Sequence, residues 1–277
     1  MVDYFGITFA LVAAVSWGTY LVPIKKFGIE NIFHTQGAMG IGAIVSALAI
    51  LPFYGSLTLD PAGVSAGIIW ISASTLAIFA IKYIGLGRVS PLVGSVIIIT
   101  SFLWGLLFFN EELTSLLFAL IGIAMLASGM PLVRIGENKS KDIKGYVLTI
   151  IAGILWGSLF VPIRIFSELE NSLFSMCLAI FVIGIGILIA TRHFRKREIL
   201  TGIVSGAIWN IGNIGSFIAV ATIGLTVGYP LTQLALLFNV SWGLIYFKEV
   251  KKRKSFTAIY VGAIIIVIGS IFLSYSR

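Results

Sequence analysis

Ten apolar runs, each near twenty residues long, take up almost all of this 277-residue chain. They centre on 4–23, 35–54, 63–81, 90–109, 114–133, 145–163, 172–191, 199–221, 225–247 and 256–275. A helix rises about 1.5 Å per residue, so about 20 apolar residues cross roughly 30 Å of hydrocarbon. Each run therefore predicts one membrane-spanning helix, and no stretch is left for a water-soluble domain. The runs are continuous rather than alternating, which excludes a β-barrel. The first run has no basic residue before it and no small-residue cleavage site, so it reads as a retained helix and not a signal peptide.

Composition agrees. Apolar residues make up 58% of the chain and charged ones 11%, with a mean hydropathy of +1.06. Soluble domains carry roughly 25% charged residues, so a water-soluble enzyme and a nucleic-acid binder are both excluded, as is intrinsic disorder. In a membrane chain the net charge of +8 reflects cytoplasmic loops. Cys177 is the sole cysteine, so the chain forms no internal disulfide or zinc–thiolate cluster. Inside run seven it reads as a buried apolar filler.

The chain also repeats itself. Trp17 and Trp156 stand 139 residues apart, as do Trp70 and Trp209, while Trp104 and Trp242 stand 138 apart. These are all six tryptophans, and WGTYLVPIK at 17–25 answers WGSLFVPIR at 156–164. Gly63 answers Gly202, Pro91 answers Pro230 and Glu111 answers Glu249. A duplication explains this: residues 1–136 and 145–277 form two five-helix repeats, joined by a cytoplasmic linker at 137–144. An odd helix count turns the second repeat upside down, so the expected fold is an all-α membrane protein of two inverted five-helix repeats. The odd-numbered loops hold seventeen of the nineteen Lys and Arg residues, which places them in the cytoplasm and both termini outside.

Polar groups inside the runs mark a candidate site. In SGAIWNIGNIGSF (205–217), Trp209, Asn210 and Asn213 have spacings that put them on one helical face. An unpartnered amide in hydrocarbon costs several kcal/mol, so both Asn face a partner helix or a wet cavity. Tyr229, Thr232 and Gln233 share a face in run nine, with Asn239 seven residues beyond Thr232. Trp70 and Ser74 in run three stand where Trp209 and Asn213 stand in run eight, and Gly94 stands where Gln233 does. An aromatic surface beside amides suits a polyhydroxylated ligand. Pro23 and Pro162 lie near run ends and read as helix terminators, with Lys25 snorkelling to the surface and Glu111, Glu112 and Glu249 as surface charges. No acidic residue falls mid-run, His34 and His193 sit at run ends, and no catalytic motif occurs in a credible context. An enzyme is therefore not expected, nor a metal site or cofactor.

Ten helices in two inverted repeats resemble the drug/metabolite transporter superfamily. SGAIWNIGNIGSF, followed by IGLTVGYPLTQL, WGLIYFKE and YVGAIIIVIGSI, is similar to its glucose/ribose porter family, and the resemblance covers nearly the whole chain. It implies a monosaccharide carrier working by alternating access, with a proton as a candidate co-substrate. Its motifs carry over to Trp209, Asn210, Asn213 and Gln233; the residue pattern adds Thr232, Tyr229, Trp70 and Ser74. The partners implied are a small sugar and the lipid bilayer, with no nucleic acid; no oligomeric state follows. Two rival readings stay open: export of amino acids or other metabolites on the same fold, and a membrane scaffold that transports nothing.

Overall fold

Backbone polar groups in hydrocarbon must find partners within their own segment, and helices satisfy that demand locally. The computed structural model describes residues 4–27, 31–54, 59–110, 113–133, 143–166, 169–192, 195–223 and 231–276, and its regular elements are all helical. The helices are α1 (Tyr4–Thr19), α2 (Val22–Lys26), α3 (Ile32–Tyr54), α4 (Pro61–Ile84), α5 (Leu86–Leu103), α6 (Leu116–Val133), α7 (Ile143–Gly157), α8 (Val161–Phe166), α9 (Leu169–Thr191), α10 (Lys196–Ile223), α11 (Ala235–Ser241) and α12 (Arg253–Ser274). Short π-helical turns, Trp104–Phe108 and Trp242–Tyr246, prolong α5 and α11.

Among the described residues, seven stretches are both long and apolar enough to cross a membrane: Tyr4–Lys26, Pro61–Ile84, Leu86–Phe108, Leu116–Val133, Ile143–Phe166, Ser172–Thr191 and Arg253–Leu273. α3 and α10, at 23 and 28 residues, match the required length. The ninth expected run is described as the shorter apolar helix Ala235–Tyr246, with 224–230 outside the described residues. Large apolar side chains such as Leu107, Leu117, Phe166, Val182 and Ile189 point outward. Such a surface would drive association in water and suits lipid. The protein is an integral membrane protein.

Prolines shape two of the rods from within. Pro23 and Pro162 begin the short helices α2 and α8, which carry their rods past the expected stopping point. Proline has no N–H, and its ring clashes with the carbonyl four residues back. Those carbonyls belong to Thr19 and Ser158, where α1 ends and where α7 gives way to the turn before α8. The side-chain hydroxyls at these breaks accept from the repeat-related tryptophans: Trp242 Nε1 donates to Thr19 Oγ1 at 3.2 Å and Trp104 Nε1 to Ser158 Oγ at 2.8 Å.

The packing follows the same numerical shift. α3 lies against α9 and α10, α4 against α7 and α9, α1 against α10 and α11, α5 against α7 and α11, and α6 against α12. Moving each helix to its counterpart 138–139 residues away maps these pairings onto one another. α3 and α10 approach so closely that a Cβ on Gly206 would stand 2.0 Å from the Met39 carbonyl oxygen, which only glycine permits.

Candidate functional site

Helical spacing on α4 and α10 brings the expected aromatic pair together. The Trp70 and Trp209 rings meet with centroids 4.2 Å apart and planes tilted by 41°. Both side chains are buried.

The amides of α10 form a chain beside this pair. Trp17 Nε1 on α1 donates to Asn213 Oδ1 at 3.2 Å, and Asn213 Nδ2 donates to Asn210 Oδ1 at 3.3 Å. Asn210 is fully buried, and its Nδ2 reaches the Ala43 carbonyl of α3 at 3.5 Å. Cys177 is buried as expected and also contacts Asn210, with its Sγ 3.6 Å from Oδ1. Sequence reasoning missed Trp17 as part of this cluster. Its signal was the paired WGTYLVPIK and WGSLFVPIR segments, but which helix the indole meets depends on packing between distant segments. Asn239 Nδ2 donates to the Trp17 carbonyl at 3.2 Å, so polar groups of α10 and α11 meet at one residue of α1.

The remaining candidates are arranged differently. Thr232 is buried, and Gln233 Nε2 donates to its Oγ1 at 3.5 Å. Among the described residues no hydrogen bond joins Gln233 to Asn210 or Asn213. Tyr229 lies outside the described residues. Ser74 Oγ donates to Gln36 Oε1 of α3 at 3.1 Å, and both residues are buried. Gln36 is a second residue the sequence did not mark.

Charged groups gather at the helix ends. Lys25 does not snorkel free: its ammonium bonds the Glu249 carboxylate and lies 4.9 Å from the centroid of the Phe247 ring. Nor is Glu249 a surface charge, because Leu86 N–H donates to its Oε1 at 2.8 Å and Gly87 N–H to its Oε2 at 2.9 Å. A carboxylate at the exposed amides of a helix N-terminus is held by charge-assisted hydrogen bonds and by the helix dipole. Gly85 precedes those amides with φ +84° and ψ 159°, a conformation restricted to glycine. A cleft of about 460 Å³ opens beside this contact, lined by Lys25, Ile81, Lys82, Tyr83, Arg88 and Glu249 among others. The repeat-related cation, Arg164, lies 4.2 Å from the centroid of the Phe109 ring. Glu111 and Glu112 fall outside the described residues.

Two more carboxylates tie helix starts together. Glu198 Oε2 of α10 lies 3.0 Å from Nδ1 of fully buried His34 on α3. Asp60 caps α4 by accepting from Ala62 and Gly63 N–H, each at 3.1 Å, and it also accepts from Ser172 Oγ of α9.

A family model described as "Sugar transport protein" matches residues 8–276. A Listeria innocua serovar 6a protein, provisionally named a sugar uptake protein, is 26% identical across 98% of this chain and 99% of its own length. The probable glucose uptake protein GlcU of Priestia megaterium is 24% identical across 97% of this chain and 98% of its own. The glucose uptake protein GlcU of Bacillus subtilis (strain 168) is 23% identical across 97% of each chain. One crystal structure, 17% identical, superposes over 96% of this chain and 95% of its own with a TM-score of 0.58, a likeness of fold alone. With its buried tryptophan pair and amide chain set in an apolar helical body, the chain belongs to the sugar transport protein family, the glucose/ribose porters.

Proposed function

We propose that this protein carries a monosaccharide across the membrane by alternating access between two inverted five-helix halves, 1–136 and 145–277, joined by the cytoplasmic segment 137–144. The observation that carries this reading is the Trp70–Trp209 contact: equivalent positions of the two repeats supply an aromatic pair beside buried amides. Aromatic faces pack against the C–H face of a sugar ring, while amides and hydroxyls bond its hydroxyl groups. Asn210, Asn213, Gln233, Thr232, Tyr229 and Ser74 supply those polar contacts.

Ring centroids 4.2 Å apart leave no room for a sugar between them. A sugar ring packed on both faces needs about 7–8 Å, twice an ordinary carbon contact of about 3.5–4.0 Å. Entry of substrate therefore parts α4 from α10 and converts binding into relative motion of the halves. The inverted repeat is supported by the exchangeable helix pairings and by the matched Trp104–Ser158 and Trp242–Thr19 bonds. Loop charge supports cytoplasmic odd-numbered loops, with both termini outside. On that orientation Lys25 and Glu249 bar the cytoplasmic side.

Counterflow in proteoliposomes tests the reading. Vesicles loaded with one unlabelled sugar at a time should take up its labelled form with no ion gradient imposed. An imposed pH gradient should then drive accumulation. Exchange of amino acids with none of any sugar would overturn the assignment. Sugar exchange indifferent to pH would remove the proton alone.

A further inference from the structure

Gln36 occupies the second turn of α3 and is fully buried. Its Oε1 accepts from Ser74, while its Nε2 has no hydrogen-bond partner among the described residues. Exchanging the amide oxygen and nitrogen does not repair this, since one polar atom stays unpaired either way. A buried polar atom without a partner is rare and asks for a reason. Ser74 lies one helical turn from Trp70, so the Gln36 amide sits about 5–6 Å along α4 from the start of the aromatic pair. Seven residues further along the same face of α3, the Ala43 carbonyl holds Asn210. α3 therefore links the unpaired amide to the amides of α10. A second buried donor without a partner among the described residues, Trp156 Nε1, belongs to an indole packed against the cluster of Ala77, Val93 and Ala152, and Ala77 lies one turn beyond Ser74. Its repeat counterpart, Trp17, has its partner in Asn213.

We propose that Gln36 is a further substrate-binding residue, its Nε2 donating to a hydroxyl oxygen of the sugar beside Ser74. This rests on the sugar-carrier reading and deepens it. The first repeat then contributes polar recognition through α3 and α4, and not shape alone. Selectivity at one hydroxyl position follows, because a sugar lacking that oxygen leaves the amide unpaired.

The test uses the full chain in proteoliposomes, with D-glucose and its monodeoxy analogues in counterflow. In the wild type one analogue should exchange with a KM about three- to tenfold above that of glucose, the range of one neutral hydrogen bond. In Gln36→Met the KM for glucose should rise by the same factor, and the penalty at that position should vanish while penalties elsewhere persist. Methionine fills the amide's space and removes the unpaired Nε2, but it also takes the acceptor from Ser74 Oγ, so the two effects oppose and its melting temperature should stay close to the wild-type value. If Gln36→Met fails to reconstitute, Gln36→Asn, which withdraws the amide by one methylene, should show the same selective loss. A variant with unchanged KM values and all penalties intact overturns the assignment of Gln36 alone. A wild-type chain that exchanges no sugar overturns it together with the carrier reading.

Discussion

Asn213 both accepts from Trp17 and donates to Asn210, so removing it leaves the Trp17 N–H without its acceptor and leaves Asn210 Oδ1 with Cys177 alone. Leaving a buried donor unsatisfied costs about 1–3 kcal/mol, although hydrogen bonds between membrane helices average about 0.6 kcal/mol in double-mutant cycles. Asn213→Ala should therefore lower stability by about 1 kcal/mol and raise the KM for sugar about tenfold. Trp17→Phe keeps the ring and loses only the N–H, so it should do less damage. Because the two changes break one shared bond, the double variant should fall short of the sum of the singles, in melting temperature and in counterflow KM. Strict additivity would show that Trp17 does not act through Asn213. The α10 half of this site is legible in sequence because two amides three residues apart are conspicuous in an apolar run. Gln36 is not, since it follows His34 and Thr35 near the start of a run and reads as part of a polar helix end. Its bond to Ser74 of α4, 38 residues away, is one that no local pattern records.

The helices themselves are legible because bilayer thickness imposes their length. Their breaks are less so: Pro23 and Pro162 read as stops, yet each rod resumes beyond a turn placed where the proline ring would clash four residues back. Illegible altogether is the contact of Lys25, Glu249 and the start of α5, in which Glu249 lies 162 to 224 residues from its bonded partners. Its physics gives a prediction that a plain ion pair would not. Glu249→Gln should open this end of the bundle, raising the rate at which a membrane-impermeant maleimide labels Ile81→Cys in a Cys177→Ala background. Lys25→Met should do the same. Exchanging the charges, Lys25→Glu with Glu249→Lys, should fail to restore closure, because an ammonium cannot accept from the Leu86 and Gly87 N–H groups and is repelled by the positive end of the helix dipole. Restoration by the exchange would reduce the contact to a simple ion pair. Gly85→Ala should also open it: a Cβ there would stand 2.7 Å from Glu249 Oε2.

For the molecule as a whole, the decisive question is how the two repeats are oriented in the membrane. A chain whose surface is apolar all round gains little from turning over, so its orientation is set at the ends of its helices. There the seventeen basic residues of the odd-numbered loops outweigh the other two. Inversion has a consequence that a parallel duplication lacks. Leu116 and Lys254 are equivalent positions, 138 residues apart, and both are exposed at the starts of α6 and α12. Inverted halves place them on opposite faces of the membrane, whereas parallel halves place them on the same face. With the buried Cys177 replaced by Ala, Leu116→Cys should react with an impermeant maleimide added outside intact cells, and Lys254→Cys only after the cells are opened. Labelling of both from one side would exclude inversion and with it the twofold relation that makes Trp70 and Trp209 equivalent walls of one site. Labelling from opposite sides fixes the geometry alternating access requires: whatever closes the Lys25–Glu249 end has its counterpart, around Arg164 and Phe109, at the other face.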